Sequence, residues 1–398
     1  MIEVKEALQI FKENLGSFGV EEIPLSESLG RILKEDWYTD RPLPPYDRVA
    51  MDGIAISFND FKEDTRTFNI NGVAAAGDPQ KELTATHACL EVMTGSILPK
   101  GCDAVIRYED LSIDDTKATI TIEQISQFQN IHIKASDRQV NELVVQKNTL
   151  ISAAEIGLGA SIGKSEVVVA KLPSAIVIST GNELVPIDEK PLAHQIRKSN
   201  VYRISTILES LKIACDTAHF NDDKEEMKAK LSDYLARYDV IFLSGAVSKG
   251  KFDFLPEVLD ELGAEKLFHR IAQRPGKPFW FGKYGDGCHI FAFPGNPISS
   301  FMCMQRYFIY WLGLSLGASL RKISYAVLTD DVNFKPDLNY FMEVKISYAE
   351  SGKILATPKR GGGSGDLANL VDADAFMELP RGKNVFNKGE IYPIYLYR

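Results

Sequence analysis

Three polar turns, each following an apolar segment, carry groups suited to binding an anion. Residues 180–183 (TGNE) follow AIVIS, residues 244–250 (SGAVSKG) follow DVIFL, and residues 294–297 (PGNP) follow HIFAF. Glycine-rich turns ahead of a helix can hold a phosphate with their backbone N–H groups, and hydroxyls and carboxylates add polar contacts. Each turn alone is also ordinary loop chemistry, with Gly and Asn at unusual backbone angles and Pro at a helix start. Their repetition favours a ligand site.

A basic segment lies between the second and third turns. Residues 269–278 (HRIAQRPGKP) include Arg270, Arg274 and Lys277, whereas the whole chain has 45 Lys and Arg against 54 Asp and Glu, a formal net charge of −9. A basic cluster in an acidic chain indicates a phosphate or oxyanion ligand, and the prolines around it stiffen the backbone. The alternative is a solvated charged loop.

Several carboxylates stand beside glycines or hydroxyls and suit a hard divalent cation. Asp253 lies just past the second turn, where it could bind a metal or a substrate hydroxyl, or pair with Lys251. Asp52 precedes a glycine in AMDG, although an Asx turn also explains it, and Thr94 lies in MTG. An anion site with several carboxylates indicates a magnesium-assisted phosphoryl or oxyanion reaction. The sequence contains no P-loop, GxSxG or HExxH motif.

The elements that position these residues predict a multidomain α/β protein. Residues 173–318 alternate short apolar runs with helical patterns, which is typical of a doubly wound α/β domain. Residues 45–140 predict a β-rich insertion domain, and residues 319–398 predict a small C-terminal β domain. Residues 1–44 and 141–172 would form a discontinuous N-terminal domain, in which 152–163 is a candidate partner for the N-terminal helix.

Composition excludes several classes of protein. The acidic charge balance argues against a protein whose main partner is nucleic acid. The five cysteines have no metal-ligand spacing and are expected to be reduced thiols. The most apolar run, 307–320, is too short to span a bilayer, and the N-terminal residues predict an amphipathic helix rather than a targeting segment. We therefore expect a cytoplasmic protein without membrane or nucleic-acid partners.

Seven ordered motifs together resemble the molybdopterin molybdenumtransferase family, which includes the E domain of gephyrin. The motifs are PPYDRVAMDGIA (44–55), AAGDPQ (75–80), MTGSILPKGCDAVI (93–106), STGNEL (179–184), SGAVSKGKFD (244–253), RPGKP (274–278) and FPGNPIS (293–299). The resemblance runs along nearly the whole chain. It implies an elongated homodimer with four domains per subunit, in which the doubly wound domain binds molybdopterin and the C-terminal domain is a small β-barrel.

The resemblance also implies a reaction, the last step of molybdenum cofactor synthesis. Adenylylated molybdopterin and molybdate would be the substrates, AMP would be released, and Mg²⁺ would assist. A molybdopterin adenylyltransferase and a molybdoenzyme are the partners that this reaction suggests. Asp52 of one subunit would complete a cleft built by Glu183, Asp253 and Lys277 of the other, so that a dimer is needed for activity.

Individual roles follow motif by motif from the same resemblance. The catalytic candidates are Asp52, Asp137, Glu183, Asp253 and Lys277, and the candidate magnesium ligands are Asp52, Glu183 and Asp253. The candidate substrate-binding residues are Thr94, Thr180, Gly181, Ser244, Gly245, Ser248, Arg270, Arg274, Pro278, Pro294, Gly295, Asn296, Ser299 and Ser364.

Some positions depart from the family pattern and leave an alternative open. His132 stands where an arginine is usual, Ala246 replaces a glycine, and Arg270 and Arg274 replace lysines. Glu343 stands where the C-terminal pattern would place one of two arginines that are absent here. The alternative to an active transferase is a catalytically weakened molybdopterin-binding scaffold or carrier. A third hypothesis, an unrelated magnesium-dependent phosphosugar or nucleotide enzyme, rests on the residues without the resemblance.

Overall fold

The structure is a computed structural model that describes residues 1–245, 247 and 254–398. Residues 1–172 contain helices α1 (Val4–Glu13), α2 (Phe58–Lys62) and α3 (Ala153–Ser161). Their strands are β1 (Val20–Pro24), β2 (Trp37–Tyr38), β3 (Arg48–Val49), β4 (Gly53–Ile56), β5 (Thr67–Ala74), β6 (Ala88–Val92), β7 (Ala104–Arg107), β8 (Leu111–Ile113), β9 (Lys117–Ile120), β10 (Ile131–His132), β11 (Leu143–Val145) and β12 (Glu166–Ala170).

The rest of the chain contains two further groups of elements. Residues 173–316 contain β13 (Ala175–Thr180), β14 (Leu184–Val185), β15 (Ile196–Arg197), α4 (Asn200–Ser210), β16 (Cys215–Phe220), α5 (Lys224–Arg237), β17 (Val240–Ser244), α6 (Leu255–Glu261), β18 (Glu265–His269), β19 (Gln273–Arg274), β20 (Trp280–Tyr284), β21 (Cys288–Phe293), α7 (Pro297–Cys303) and α8 (Ile309–Leu316). The last group is β22 (Ser324–Leu328), β23 (Val332–Asn333), β24 (Asn339–Tyr348), β25 (Ile354–Pro358), α9 (Leu367–Asp372), β26 (Ala375–Leu379), β27 (Val385–Phe386) and β28 (Ile391–Leu396).

The amphipathic helix α1 packs against the α/β core. Its buried face includes Val4, Ala7 and Phe11, and the Phe11 ring lies 4.5 Å from the ring of Phe281 and 5.6 Å from that of Phe268. Residues of α3 pack in a separate cluster around Trp37. The expectation that residues 152–163 are the partner of α1 is therefore wrong, because the apolar stripe of a helix shows which face is buried but not what covers it.

Two strand pairs join the segments on either side of the insertion. Strand β1 pairs antiparallel with β12, and β2 pairs antiparallel with β11. Between these segments lies a six-stranded sheet in the order β7-β4-β6-β5-β9-β8. Gly53 opens β4 at a point of close backbone approach, since a Cβ there would lie 1.9 Å from the carbonyl oxygen of Ile106. Only glycine allows the two strands to approach this closely.

The doubly wound domain has a six-stranded sheet in the order β16-β13-β17-β21-β20-β18. The strands β16, β13, β17 and β21 are parallel. Helices α4, α7 and α8 cover one face, and α5 and α6 cover the other. The strands β13, β17 and β21 are buried along their whole length, as expected for parallel strands between two helical layers.

The C-terminal domain is a closed five-stranded barrel with the ring order β22-β25-β24-β26-β28. Strand β19 of the basic segment pairs in parallel with the start of β24, so the barrel is joined to the doubly wound domain there. The long apolar helix before the barrel runs through α7, a π-helical turn (Met304–Phe308) and α8. Among the described residues, no helix is both long and apolar enough to cross a bilayer.

Candidate functional site

A cleft of about 930 Å³ opens where β13, β17 and β21 end at their carboxyl edges. The chain leaves β13 through α4 to β16 on one side, and it returns through α5 to β17 on the other. The cleft therefore lies at the topological switch point of the sheet, where ligands of doubly wound domains bind. The predicted residues that line it are Thr180, Gly181, Glu183, Ser244, Gly245, Pro278, Pro294, Gly295 and Asn296.

Backbone forms much of the floor of the cleft. Gly245 has a φ of +111°, and a Cβ there would lie 2.5 Å from Thr180 Oγ1. Gly181 has a φ of +131°, and a Cβ there would lie 2.4 Å from a carboxylate oxygen of Glu183. Gly295 lies close to Gly245, with 3.7 Å between its ideal Cβ position and the Gly245 Cα. The turn that contains Gly245 thus meets the turn that contains Gly295, and a ligand can approach the main chain of both closely.

Asn200 joins two of these turns, although its role was not predicted from sequence. Its Nδ2 donates to Ser244 Oγ at 2.8 Å and to the carbonyl oxygen of Gly295 at 2.7 Å. Arg203 donates to Asn200 Oδ1 at 2.7 Å and to the carbonyl oxygen of Pro297 at 3.0 Å, so it orients the amide. The signal in the sequence was the polar KSN triplet that leads into a helical pattern.

Charged groups of both signs line the cleft. Arg197 and Lys198 line it just ahead of α4, and Glu183 and Asp222 contribute carboxylates to the same lining. The amino end of α4 also borders the cleft, and its free N–H groups favour an anion. The cleft therefore offers cations and helix N–H groups to a phosphate, and carboxylates to a divalent cation.

His219 lies beside the cleft as a partner of Ser179. Its Nδ1 lies 2.9 Å from Ser179 Oγ. Burial, reinforced by the charge of Lys198, lowers the pKa of His219 below its ordinary value, and hydrogen bonding to Ser179 and nearby carboxylates oppose this only in part. The imidazole is therefore neutral at neutral pH and can exchange a hydrogen bond with the hydroxyl.

The basic segment is anchored by buried contacts that leave its charged side chains outside the core. Gln273 donates from Nε2 to the carbonyl oxygen of Gly276 at 3.1 Å, and the Tyr307 hydroxyl donates to Gln273 Oε1. Gly276 has a φ of +84°, and a Cβ there would lie 2.8 Å from Cys303 Sγ. Arg274 and Lys277 are exposed, and neither lines the cleft as Pro278 does.

Arg270, Ser299 and Ser364, three further predicted site residues, lie in different surroundings. Arg270 is half-buried and lies outside the cleft lining. Ser364 accepts a hydrogen bond from Asn296 Nδ2 at 2.9 Å, and its carbonyl oxygen accepts one from Ile298 N at 3.1 Å. This ties the loop before α9 to the rim of the cleft. Ser299 is only 3% exposed inside α7 and does not line the cleft.

Asp52 and Thr94 form a second predicted site on the insertion sheet. The backbone N–H of Thr94 donates to Asp52 Oδ1 at 2.6 Å, and its hydroxyl donates to the same oxygen at 2.7 Å. These bonds hold the pKa of Asp52 below its ordinary value, the backbone bond contributing most. Within the described residues, no hydrogen bond or ion pair joins residues 50–130 to residues 173–316.

Asp137 is hydrogen-bonded to His132, which stands where the family pattern has an arginine. His132 Nε2 lies 2.8 Å from Asp137 Oδ1, and Arg48 Nη2 lies 2.9 Å from His132 Nδ1. A guanidinium can only donate, so Nδ1 accepts from Arg48 and Nε2–H donates to Asp137. Arg48 thus places a permanent positive charge behind His132.

The described residues do not assemble a complete metal site. Throughout 1–245, 247 and 254–398, no three His, Cys, Asp or Glu side chains are grouped so that they could hold a metal ion. Asp253 and Ser248, together with the departure at Ala246, lie outside the described residues. Glu183 and Asp222 supply oxygen donors, and Mg²⁺ is commonly held by one or two carboxylates together with substrate phosphates. The donor chemistry of the cleft therefore fits Mg²⁺.

Thr94→Val is expected to raise the pKa of Asp52 toward its ordinary value of 3.8, because the variant loses the hydroxyl donor and keeps the backbone donor. A lowered carboxyl pKa stabilises the fold above the unfolded-state pKa, and this contribution is lost as the pH falls through the folded-state pKa. The stability difference between wild type and variant should therefore vanish in acid. An NMR titration of the Asp52 carboxyl carbon measures the shift, with Thr94→Ser as the matched control. Identical titration curves for the Val and Ser variants would contradict the assignment.

Comparison with known proteins follows the domain order of the structure. Residues 2–163 match a family model described as the MoeA N-terminal region (domain I and II), residues 176–313 match a probable molybdopterin binding domain, and residues 325–397 match the MoeA C-terminal region (domain IV). A molybdopterin molybdenumtransferase of Synechocystis is 38% identical over 400 residues, covering 100% of both chains. The chain belongs to the MoeA family.

Other MoeA-type proteins are also similar to this chain over nearly its whole length. A molybdopterin molybdenumtransferase of Staphylococcus aureus is 28% identical and covers 99% of this chain and 95% of its own. A solved structure of a molybdopterin biosynthesis MoeA protein from Pyrococcus horikoshii has a TM-score of 0.84 at 26% identity, covering 100% of both chains. The multidomain α/β fold expected from the motifs is thus confirmed, including the C-terminal barrel.

Proposed function

We propose that this MoeA-family chain is a molybdopterin molybdenumtransferase that inserts molybdate into adenylylated molybdopterin and releases AMP. The observation that carries the proposal is the cleft at the switch point, where three predicted strand-end turns meet. The arginine, lysine and glycines that line the cleft suit a pterin phosphate, and its carboxylates suit a divalent cation. The molybdopterin molybdenumtransferases of Synechocystis and Staphylococcus aureus support the assignment because they match along nearly their full lengths.

In this proposal the residues of the cleft bind and orient the phosphoanhydride. Ser244, Gly245 and Gly295 bring backbone and hydroxyl groups to the phosphates, and Asn200 holds their turns at a fixed separation. Mg²⁺ held by Glu183 and Asp222 would offset the phosphate charge when bound. Water then cleaves the phosphoanhydride, and the adenylyl phosphorus leaves as AMP while molybdopterin keeps its own phosphate.

Molybdate is assigned to the basic segment and the edge of the barrel. Arg274 and Lys277 are exposed beside Pro278, which lines the cleft. Burial and the charge of Glu343 raise the pKa of Tyr340, and the positive charges of Arg274 and Arg360 oppose this change. Arg274 lies opposite Tyr340 in the pairing of β19 with β24. Arg360 was not predicted from sequence. It offers a cation near the position where the family pattern has two arginines and this chain has the buried Glu343.

We further propose that the active form is a cytoplasmic homodimer in which Asp52 of one subunit reaches the cleft of the other. Asp52 and Thr94 do not line the cleft of their own chain. The reaction would receive its pterin from a molybdopterin adenylyltransferase and pass its product to a molybdoenzyme. The scaffold alternative was based partly on the loss of a permanent positive charge at His132. Arg48 is hydrogen-bonded to His132 and supplies such a charge there, which weakens that argument.

The decisive experiment measures AMP release from purified protein loaded with adenylylated molybdopterin and Mg²⁺, with and without molybdate. We expect release that depends on molybdate, with molybdenum retained in the pterin by elemental analysis. Omitting Mg²⁺ and adding EDTA tests the metal separately and should slow the release. Tight pterin binding without release would favour the scaffold alternative. Absence of pterin binding would reject both functions.

A further inference from the structure

A second cavity of about 440 Å³ lies between α4, the helix formed by residues 297–316 and the C-terminal segment. It shares no lining residue with the cleft. Two arginines, Arg203 and Arg321, line it, and no carboxylate lines it among the described residues. The cavity is therefore a cationic pocket, partly open to solvent, in a protein whose net charge is −9.

In the part of the chain that the structure describes, both arginines are bound by neutral groups only. Arg203 donates to the Asn200 side chain and to a backbone carbonyl, and its guanidinium lies 5.4 Å from the ring centre of Phe301. Arg321 Nη1 donates to Gln305 Oε1 at 2.6 Å. Within 1–245, 247 and 254–398, neither arginine forms an ion pair. Each guanidinium has five N–H donors, so donors remain for a ligand.

Two more deeply buried arginines of the chain differ from Arg203 and Arg321, which are half-buried, in having a carboxylate partner. Arg31 is 8% exposed and pairs with Glu21, and Arg306 is 7% exposed and pairs with Glu378 at 3.1 Å. Burial without a counter-charge lowers the pKa of Arg203 to about 10, and it also lowers the pKa of Arg321. A partly dehydrated guanidinium without an anion is costly, and an anion that entered the cavity would offset this cost.

The remaining lining is divided between hydroxyls and apolar side chains. Thr206 and Ser210 donate their hydroxyl hydrogens to backbone carbonyls of α4, so the arginines, rather than these hydroxyls, supply hydrogen-bond donors for an anion. Apolar groups include Phe301, Ile309 and Leu320. The volume lies within the range of small-molecule sites. We propose that this cavity binds a small organic anion, a carboxylate or phosphate carried on an apolar body, with Arg203 and Arg321 as its charged contacts.

Thr206 offers a matched pair of variants that tests the charge without removing either arginine. Thr206→Glu places a carboxylate three residues after Arg203 on the same helix, whereas Thr206→Gln adds the same bulk without charge. Phenyl phosphate is the probe, titrated calorimetrically at fixed ionic strength into the full chain. We expect saturable binding to wild type and Thr206→Gln, and binding weakened by about tenfold or more in Thr206→Glu. The Glu variant should also melt at a higher temperature than the Gln variant.

Arg321→Gln gives an independent test, because it removes the proposed charged contact that lies outside α4. Its control is Arg237→Gln, which changes an exposed arginine on α5. We expect Arg321→Gln to weaken phenyl phosphate binding and Arg237→Gln to leave it unchanged. Failure of wild type to bind the probe saturably, or equal affinities of the Glu and Gln variants, would overturn the site. Equal affinity for inorganic phosphate would overturn the requirement for an apolar body.

Discussion

Equimolar mixing of wild-type chains with Asp52→Ala/Glu183→Ala chains should lower AMP release to about a quarter of that of an equal total amount of protein composed of wild-type chains alone. Random pairing gives about a quarter wild-type dimers and about half mixed dimers. If each cleft needs Asp52 from one subunit and Glu183 from the other, neither cleft of a mixed dimer is complete. If both residues act within one chain, each mixed dimer keeps one complete cleft, and about half of the release remains.

The separation of the two acids within the chain is the structural basis of this prediction. Glu183 lines the cleft, whereas Asp52 is bound to Thr94 on the insertion sheet. Both are exposed, so their removal should not affect the folded state. Each single variant is expected to lose about a hundredfold or more of the activity, as for other residues that act on transition-state charge. Glu189→Ala changes an exposed glutamate outside the cleft and is the matched control.

The reciprocal mixture completes the test. Asp52→Ala chains mixed with Glu183→Ala chains should recover about a quarter of wild-type release, because each mixed dimer then contains one complete cleft. Subunits must be exchanged under mild denaturation and the dimers verified by analytical ultracentrifugation. Verified mixed dimers that recover no activity would contradict the shared cleft, and full-length chains that remain monomeric would contradict the proposed dimer.

Gly245→Ala should both destabilise the protein and weaken ligand binding at the cleft. The residue has a φ of +111°, and the new Cβ would lie 2.5 Å from Thr180 Oγ1 and 3.0 Å from the Thr180 carbonyl oxygen. The left-handed backbone alone should lower the free energy of unfolding by about 1–2 kcal/mol. The clash also pushes the turn at Gly245 away from the turn at Thr180. Both turns form the cleft, so AMP affinity should fall by about tenfold or more.

Gly263→Ala separates backbone strain from the effect on the cleft. Gly263 has a φ of +84°, but no atom lies within 4 Å of its ideal Cβ position. It should therefore lose stability in denaturant titrations and bind AMP like wild type. If Gly245→Ala and Gly263→Ala bind AMP with the same affinity, the close contact between the turns at Thr180 and Gly245 does not shape the ligand site.

Local pattern in the sequence was sufficient to find most of the cleft. The TGNE, SGAV and PGNP turns each follow a continuous apolar strand, and parallel strands place their carboxyl ends on one edge. Asn200, Asp222 and Arg360 were missed because each lies outside these turns. Their roles depend on which elements become neighbours, and that is determined by packing.

The seven motifs, the alternation of strands and helices in the doubly wound domain and the strand-rich C-terminal segment could all be derived from the sequence alone. These features arise from short-range periodicity and turn chemistry, which neighbouring residues determine. Tertiary structure alone decided that α1 packs on the α/β core and that Arg203 and Arg321 share a cavity that no described carboxylate lines. The physical reason is that hydrophobic burial is non-directional, so a sequence pattern shows which face is buried but not which distant segment covers it.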